Sequence, residues 1–201
     1  MSDLVPWLEG RSALVVGPGE AADAVAAALR RSGARVVRTP LAPVEAPEIA
    51  RAFDVASMVD ILVHAGTPIG SLVAESVTLD QWRSGFSADL DSRFLHMAEF
   101  ARRLIAARER GAILLLQPSP RCVAGRTSIL AAHGALDNLV KSLAVEWARD
   151  GIRANAIASH VVDDFARATS SQQASIGALA AYLVSDHAAY VTGMVMGIDE
   201  D

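Results

Sequence analysis

Residues Gly111–His160 read GAILLLQPSPRCVAGRTSILAAHGALDNLVKSLAVEWARDGIRANAIASH and predict a strand, a loop, a long helix and a second strand. The run Ala112–Leu116 is short and uninterrupted, which is typical of a parallel strand covered on both faces. In the helix predicted over Ala132–Arg149, large apolar side chains recur at helical spacing: Leu136, Leu139, Val140, Leu143 and Trp147. Gly151 can adopt the left-handed conformation that ends a helix, and Ile152–Ile157 follows as a strand. Such a strand–helix–strand unit makes a right-handed crossover in a parallel sheet.

Strands and helices alternate along the rest of the chain. Further strands are predicted at Ser12–Val16, Ala34–Val37, Asp60–Val63 and Tyr190–Ile198. Further helices are predicted at Glu20–Arg31, Ala46–Ser57, Leu79–Ser84, Leu90–Ala107 and Ser171–Ser185. In the helix over 90–107 we expect an inward stripe of Phe94, Met97, Ala98, Ala101 and Ile105. The alternation predicts a doubly wound α/β fold with a parallel sheet, shortened and built as a single domain over residues 1–201.

Composition and charge exclude several classes of function. The 201 residues are 52% hydrophobic and carry a dispersed net charge of −5, so no nucleic-acid surface is predicted. No apolar run reaches the length of a membrane span, and the first ten residues lack a basic-then-apolar signal. The lone Cys122 cannot form a disulfide within the chain, which is consistent with a reducing cytoplasm. We therefore expect a cytoplasmic protein with no membrane contact and no metal site.

Two segments carry a family resemblance. GIRANAIASH at residues 151–160, with the helix before it, and YVTGMVMGID at residues 190–199 resemble the short-chain dehydrogenase/reductase family. The resemblance covers nearly the whole chain and implies a Rossmann-like fold. It also implies oxidation or reduction of an alcohol/carbonyl pair with a nicotinamide cofactor. In that family a tyrosine acts as acid/base, a lysine lowers its pKa, a serine orients the substrate and an asparagine holds a water.

The loop that would hold the cofactor departs from the family pattern. Only Gly17 matches the family's glycines cleanly, and Gly17-Pro18-Gly19 also suits an ordinary strand-to-helix turn. Glu20 and Asp23 place negative charge in the first helical turn, where they would repel a diphosphate. His64-Ala65-Gly66 is one residue shorter than the family's asparagine-containing motif. We therefore expect this chain to bind no dinucleotide, with a vestigial loop consisting of Gly17, Gly19, His64 and Gly66.

Three polar side chains near this loop are expected to have roles other than cofactor binding. His64 is expected to hydrogen-bond a neighbouring strand, with a role as a binding group as the alternative. Arg35 and Arg38 flank the second strand, where a cofactor's ribose phosphate would lie. They are expected to be solvated surface arginines.

The positions that carry the family's chemistry hold other residues. Aligned on the central helix, the tyrosine position falls on Ile129 and the lysine position on His133. The serine position falls on Pro118, next to Ser119, and the asparagine position falls on Asp89. Isoleucine has no proton to exchange, and the chain's two tyrosines lie far from this loop in the sequence. The family's mechanism is therefore not expected at this site.

Three functions stay open from the sequence. The main hypothesis is a non-catalytic subunit that supports or regulates an active relative, for example one acting on CoA-bound or carrier-bound acyl substrates. The resemblance implies that the helices at 90–107 and 132–149, and the segment 171–198, pair in a heterodimer or heterotetramer with a paralogous subunit. That subunit would hold NAD or NADP, and a homo-oligomer is the other arrangement.

The second hypothesis is altered chemistry of dehydratase or hydrolase type built on Asp89, Ser119 and His133. Its alternative is that Asp89 and His133 form a structural ion pair. The third hypothesis is a divergent NAD(P)-dependent oxidoreductase.

Overall fold

The computed structural model describes residues 6–66, 74–119, 127–163 and 165–198, and its six strands form one parallel sheet. The strands are β1 (Ser12–Val16), β2 (Arg35–Thr39), β3 (Ile61–His64), β4 (Gly111–Gln117), β5 (Ile152–Ala158) and β6 (Val195–Gly197). The helices are α1 (Glu20–Arg31), α2 (Ala46–Ala56), α3 (Leu79–Phe86), α4 (Ser92–Ala107), α5 (Thr127–Glu146), α6 (His160–Asp163) and α7 (Ser170–Val184). A π-helical turn over Ser87–Asp91 joins α3 to α4. The predicted doubly wound α/β fold is confirmed.

The order of the strands reverses at β1 and β3, which is where this type of fold forms a ligand crevice. The sheet runs β2-β1-β3-β4-β5-β6, so the chain first moves to one side of β1 and then to the other. Val16 at the end of β1 is level with Thr39 on one side and with His64 on the other. In open α/β sheets, ligands bind outside the carboxyl ends of the strands where the order reverses. The candidate site is therefore expected beside the turns that follow β1 and β3.

The central strands are buried on both faces, as their uninterrupted apolar sequences predict. In β4, Ala112, Leu114 and Leu116 pack on the face covered by α1 and α7. Ile113 and Leu115 point to the opposite face, which is covered by α2, α4 and α5. The predicted stripe of α5 lies in this second layer, although the helix begins at Thr127 rather than at the predicted position 132. Within the described parts of the chain, no helix combines the length and apolar character needed to cross a membrane.

The buried face of α4 differs from the predicted one. Met97 and Ala101 are buried as expected, but Phe94 and Ile105 are 43% and 42% exposed. The buried face consists of Ser92, Arg93, His96, Met97, Phe100, Ala101 and Leu104. This face is rotated from the predicted one because it includes Arg93 and His96. Both side chains have hydrogen-bonding partners, and a polar side chain that is hydrogen-bonded can be buried.

The last predicted strand is shorter than expected and covers only Val195–Gly197. In the residues before it, side chains replace part of the strand ladder. The Asn155 amide donates to the Val191 carbonyl at 2.9 Å and accepts from the Met194 N–H at 3.1 Å. The Ala154 N–H donates to Thr192 Oγ1 at 3.1 Å. Because side chains take the place of backbone partners here, this segment is not a regular strand.

A close contact of Gly17 generates the first prediction. Gly17 has φ +105°, and a Cβ atom there would lie 2.7 Å from the carbonyl oxygen of Gly66. Gly17→Ala is therefore expected to lower the free energy of unfolding by about 2–4 kcal/mol, because strain and the clash add. Denaturant unfolding followed by circular dichroism measures this change.

Gly134→Ala is the matched control. Gly134 lies inside α5, and a Cβ atom added there meets nothing within 4 Å. This change is expected to raise the free energy of unfolding by up to about 1 kcal/mol, since alanine has the higher helix propensity. Equal effects of the two substitutions would contradict the assigned role of Gly17.

Candidate functional site

The crevice is built from the turns that follow β1, β3 and β4 and from the start of α5. The first two turns meet directly, since Gly17 packs against the backbone of Gly66. The Ala65 N–H donates to the Val16 carbonyl at 2.8 Å, which fixes one turn to the other. Ser119 follows β4, and His133 lies in the second turn of α5. The topology therefore brings the predicted candidate residues to one end of the sheet.

The N-terminus of α1 faces this crevice without a side-chain cap. Gly19 at the N-cap has φ 94° and no side chain with which to cap the first-turn N–H groups, and among the described residues a Cβ atom at Gly19 would meet nothing within 4 Å. Unpaired N–H groups and the helix dipole together attract anions. Glu20 and Asp23 stand in the first turn as predicted. The electrostatics of this end depend on how those two carboxylates are compensated.

Arg38 compensates one of them, which corrects its predicted role. Its Nε donates to Asp23 Oδ1 at 2.9 Å, and the Arg38 side chain is only 15% exposed. Its NH1 group also donates to the Thr39 carbonyl at 2.6 Å. Arg38 is therefore held beside α1 and is not a freely solvated surface arginine. Arg35 is more exposed but also has a partner, since it donates to the Ala56 carbonyl at 2.8 Å.

His64 is buried and has partners other than the predicted neighbouring strand. Its Nδ1 accepts from the Gly66 N–H at 3.0 Å, so the hydrogen of the neutral ring is assigned to Nε2. That nitrogen lies 3.4 Å from Ser92 Oγ, which donates to the carbonyls of Ala42 and Pro43. His64 therefore connects the turn after β3 to α4 and to the segment between β2 and α2.

His96 lies next to His64 in the same buried layer. The two rings are 5.0 Å apart in an edge-to-face arrangement, and His96 Nδ1 donates to the Ser92 carbonyl at 2.7 Å. The hydrogen of neutral His96 is thus assigned to Nδ1. Among the described residues, its buried Nε2 has no hydrogen-bond partner. An added proton on Nε2 would therefore have no acceptor in this part of the protein.

Asp89 has a charged partner that the sequence analysis missed. Arg93 Nε donates to Asp89 Oδ1 at 2.8 Å, and both side chains are almost fully buried. The π-helical turn holds Asp89 beside Gly66, because a Cβ atom at Gly66 would lie 2.6 Å from Asp89 Oδ1. Asp89 is thus paired with Arg93, whereas the ion pair predicted for it was with His133. The spacing of four residues was visible in the sequence, but nothing there distinguished a buried pair from an exposed one.

Ser119, Ile129 and His133 are all buried at the end of the crevice. The π-helical turn that carries Asp89 packs against α5, which carries Ile129 and His133. Nearby, Gln117 Nε2 donates to Asp137 Oδ1 at 2.8 Å and ties the end of β4 to α5. Ile129 offers no proton at the position where the family has its tyrosine. The Ser119 hydroxyl and the His133 imidazole are two described groups at this end that can exchange one.

Comparison with known proteins identifies the closely related sequences and folds. A family model described as enoyl-(acyl carrier protein) reductase matches residues 46–200. A cis-4-hydroxycyclohexanecarboxylate dehydrogenase from Sinomonas cyclohexanicum is 31% identical over 216 aligned positions, covering 95% of this chain and 86% of that enzyme. A tropinone reductase homologue from Arabidopsis thaliana is 29% identical over 160 residues, covering 70% of this chain. That match spans 60% of the plant protein, less than two thirds of its length.

A solved structure shows the same fold. The gluconate 5-dehydrogenase from Burkholderia cenocepacia, in complex with NADP and tartrate, has a TM-score of 0.81 to this chain. It is 20% identical, and the match covers 98% of this chain and 97% of that one.

These relatives overturn the main functional hypothesis. The prediction of a non-catalytic subunit is wrong, because relatives that are 30–31% identical are named as dehydrogenases and none of them supports a non-catalytic role. The prediction failed because it equated the missing tyrosine and lysine with missing chemistry. In nicotinamide enzymes the cofactor carries the hydride, and the protein supplies binding, orientation and a proton. Replacing one proton donor therefore does not remove the capacity for oxidation and reduction.

Acidification is expected to destabilise the fold through His64 and His96. Burial lowers the pKa of His64, which the Arg93 charge and His96 lower further, and burial also lowers the pKa of His96. As the pH falls below about 6.5, the unfolded chain takes up these protons before the folded chain does. The stabilisation is therefore complete above that pH. Below it, stability is lost by up to about 1.4 kcal/mol per pH unit for each histidine.

Denaturant unfolding at pH 7.5, 6.5 and 5.5, roughly spanning the ordinary pKa of a histidine side chain, checks this expectation. His64→Asn is expected to reduce the pH dependence, because asparagine can still accept from the Gly66 N–H but does not titrate. His187→Asn, which removes an exposed imidazole, is expected to leave the dependence unchanged. A wild-type stability that stays constant over this range would contradict the neutral, buried state of the two rings.

Proposed function

Because the chain belongs to the short-chain dehydrogenase/reductase family, we propose that it is a divergent nicotinamide-dependent oxidoreductase that interconverts a secondary alcohol and a ketone. The observation that carries the proposal is the match over 86% of a cis-4-hydroxycyclohexanecarboxylate dehydrogenase, at 31% identity. The name of that enzyme denotes a secondary alcohol. The crevice at the reversal of strand order supports the proposal, since dinucleotides bind at such a place in this type of fold.

The residues at the start of α1 fit a dinucleotide's diphosphate. The uncapped N–H groups after Gly19 can donate to phosphate oxygens, and the open space beside Gly19 admits them. The charge of Asp23, one of the two carboxylates expected to repel a diphosphate, is compensated by Arg38. Glu20 is exposed and can turn into solvent. The proposal therefore replaces the sequence-based expectation that this chain holds no cofactor.

The dinucleotide, when bound, supplies or accepts the hydride. We assign the matching proton to His133, because an imidazole exchanges protons readily near neutral pH and the neighbouring Ile129 cannot. Ser119 is assigned the orientation of the substrate oxygen through its hydroxyl. Asp89 is left out of this assignment, because its Oδ1 accepts from Arg93. For the same reason we do not propose a hydrolytic triad of Asp89, Ser119 and His133.

Association with another chain of the family stays a prediction. Apolar side chains on the two helices expected to pair are exposed, with Phe94 and Ile105 on α4 and Val145, at 80% exposure, on α5. Sedimentation of the purified chain, alone and with a paralogue, distinguishes a homo-oligomer from a mixed complex. The cytoplasmic location also stays a prediction.

Calorimetric titration with NAD(H) and NADP(H) tests cofactor binding directly. We expect dissociation constants in the micromolar range, about −8 kcal/mol of binding free energy. Asp23→Asn is expected to tighten NADP(H) binding by about three- to tenfold, because it removes a carboxylate from the first turn and releases Arg38. Asp54→Asn is the control, since Asp54 is another exposed carboxylate paired with an arginine but lies on α2. Absence of binding at millimolar concentration would contradict the proposed function.

The proton assignment is tested with cis-4-hydroxycyclohexanecarboxylate and NAD⁺, followed by nicotinamide absorbance. His133→Gln is expected to lower kcat by about 10²–10⁴-fold, the usual contribution of an acid or base. The exposed His187→Gln serves as the control and is expected to have no effect.

The double variant Ile129→Tyr/His133→Lys introduces the family's tyrosine and lysine. It is expected to turn over with a pH profile that follows a phenol instead of an imidazole. Ile129→Phe/His133→Lys adds the same ring without a hydroxyl and is expected to be inactive. Activity of His133→Gln equal to wild type would remove His133 from the mechanism.

A further inference from the structure

Arg93 is a buried cation that holds the ends of two strands. Its side chain is 2% exposed, although it lies next to the crevice. Its NH1 group donates to the carbonyls of His64, at 3.2 Å, and Leu116, at 2.9 Å. Those carbonyls lie at the carboxyl ends of β3 and β4, which are neighbours in the sheet. One guanidinium therefore connects two adjacent strands at the edge where the site is built.

The turn after β3 is shaped around this guanidinium. A Cβ atom at Gly66 would overlap the Arg93 guanidinium, so only glycine lets the backbone lie against it. Gly66 also packs on Gly17, and its N–H donates to His64 Nδ1. The backbone of the turn is therefore enclosed between Arg93 on one side and the β1 turn on the other.

Asp89 makes the burial of Arg93 tolerable. A buried charge without a partner is strongly destabilising, whereas a paired and hydrogen-bonded one is tolerated. Asp89 Oδ1 accepts a hydrogen bond from Arg93 Nε, so the NH1 group of Arg93 is available to donate to the two carbonyls. This division uses the planar fork of arginine, which a lysine ammonium cannot reproduce. Asp89 thus neutralises the charge of Arg93, the residue that connects the ends of β3 and β4.

We propose that Arg93 is a positioning residue of the crevice: it fixes the turn at 64–66 relative to the end of β4, and so relative to Ser119. The effect on turnover rests on the proposed function, whereas the effect on the turn does not. Displacement of reacting groups by about 1 Å costs on the order of 10²-fold in rate. Because Arg93 connects the two strands beside the crevice, its loss is expected to shift them relative to each other by a distance of that order.

Two variants separate positioning from folding stability. Arg93→Lys keeps the positive charge beside Asp89 and removes the fork. The double variant Asp89→Asn/Arg93→Met keeps the site neutral and removes the clamp, so it leaves no unpaired buried charge. Arg103→Met is the control on the same helix, because Arg103 pairs with Glu99 and Asp54 on the other side of α4. Thermal unfolding establishes which variants are folded at the assay temperature.

The first measurement needs no activity. In the wild type, the Gly66 amide is expected to exchange with solvent as slowly as the amide of Leu62 within β3, because the clamped turn opens only with the strand. In Arg93→Lys and in the double variant, exchange at Gly66 is expected to be about tenfold faster or more, with exchange at Leu62 changed less. Fast exchange at Gly66 in the wild type overturns the proposal, whether or not the variants fold.

The second measurement is turnover of cis-4-hydroxycyclohexanecarboxylate. Both folded variants are expected to lose about 10–100-fold in kcat while the KM for the dinucleotide changes less than about threefold. Folded variants that keep the wild-type kcat and the wild-type exchange at Gly66 overturn the proposal. If the wild type neither binds a dinucleotide nor turns over, the proposed function fails, and the exchange rates alone decide whether Arg93 clamps the turn.

Discussion

The contact between the turn after β1 and the turn after β3 is the constraint on which the candidate site depends. Gly17 and Gly66 meet backbone to backbone, and the Ala65 N–H bonds across to Val16. The free end of α1, the buried His64 and the ends of β3 and β4 are all placed relative to this contact. Side chains larger than hydrogen are excluded from both sides of it. The two glycines that looked like remnants of a cofactor loop therefore hold the crevice in its shape.

Two ion pairs, one buried and one partly exposed, neutralise charges beside the crevice. Asp89 and Arg93 neutralise each other below the crevice, and Asp23 and Arg38 do so at its rim. The first pair is enclosed, so its two members depend on one another for stability. The second is partly open to solvent, so it contributes less to stability and more to the local potential. The Asp89–Arg93 pair thus affects mainly the stability of the fold, and the Asp23–Arg38 pair affects mainly the electrostatic potential at the start of α1.

Much of the fold could be predicted from the sequence because the apolar signal was strong. The uninterrupted runs of β4 and β5 and the stripe of α5 required only periodicity. The buried face of α4 could not be read the same way, since Arg93 and His96 count as polar in any such pattern. Their burial depends on acceptors such as the Leu116 carbonyl, which is distant in sequence. The pairing of Asp23 with Arg38 is likewise set by the sheet and not by local spacing.

The roles of the candidate site residues stay predictions. The structure places both Ile129 and His133 in α5, next to the turn that carries Asp89, whereas the sequence predicted a helix that begins only at Ala132. Function was then inferred from what the two positions lack. A proton can reach a substrate oxygen from more than one type of side chain, so residue loss is weaker evidence than the relatives' named activities.

The π-helical turn over Ser87–Asp91 limits which deletions this part of the chain can accept during evolution. Such a turn is equivalent to one extra residue accommodated within an otherwise α-helical run. Loss of a single residue there would restore an uninterrupted helix and rotate everything on its N-terminal side by about 100°. The neighbouring rings of Trp82 and Phe86, whose centroids are 4.9 Å apart, would then face another direction. The number of residues from α3 to α4 is consequently more constrained than the identity of the exposed residues in these helices.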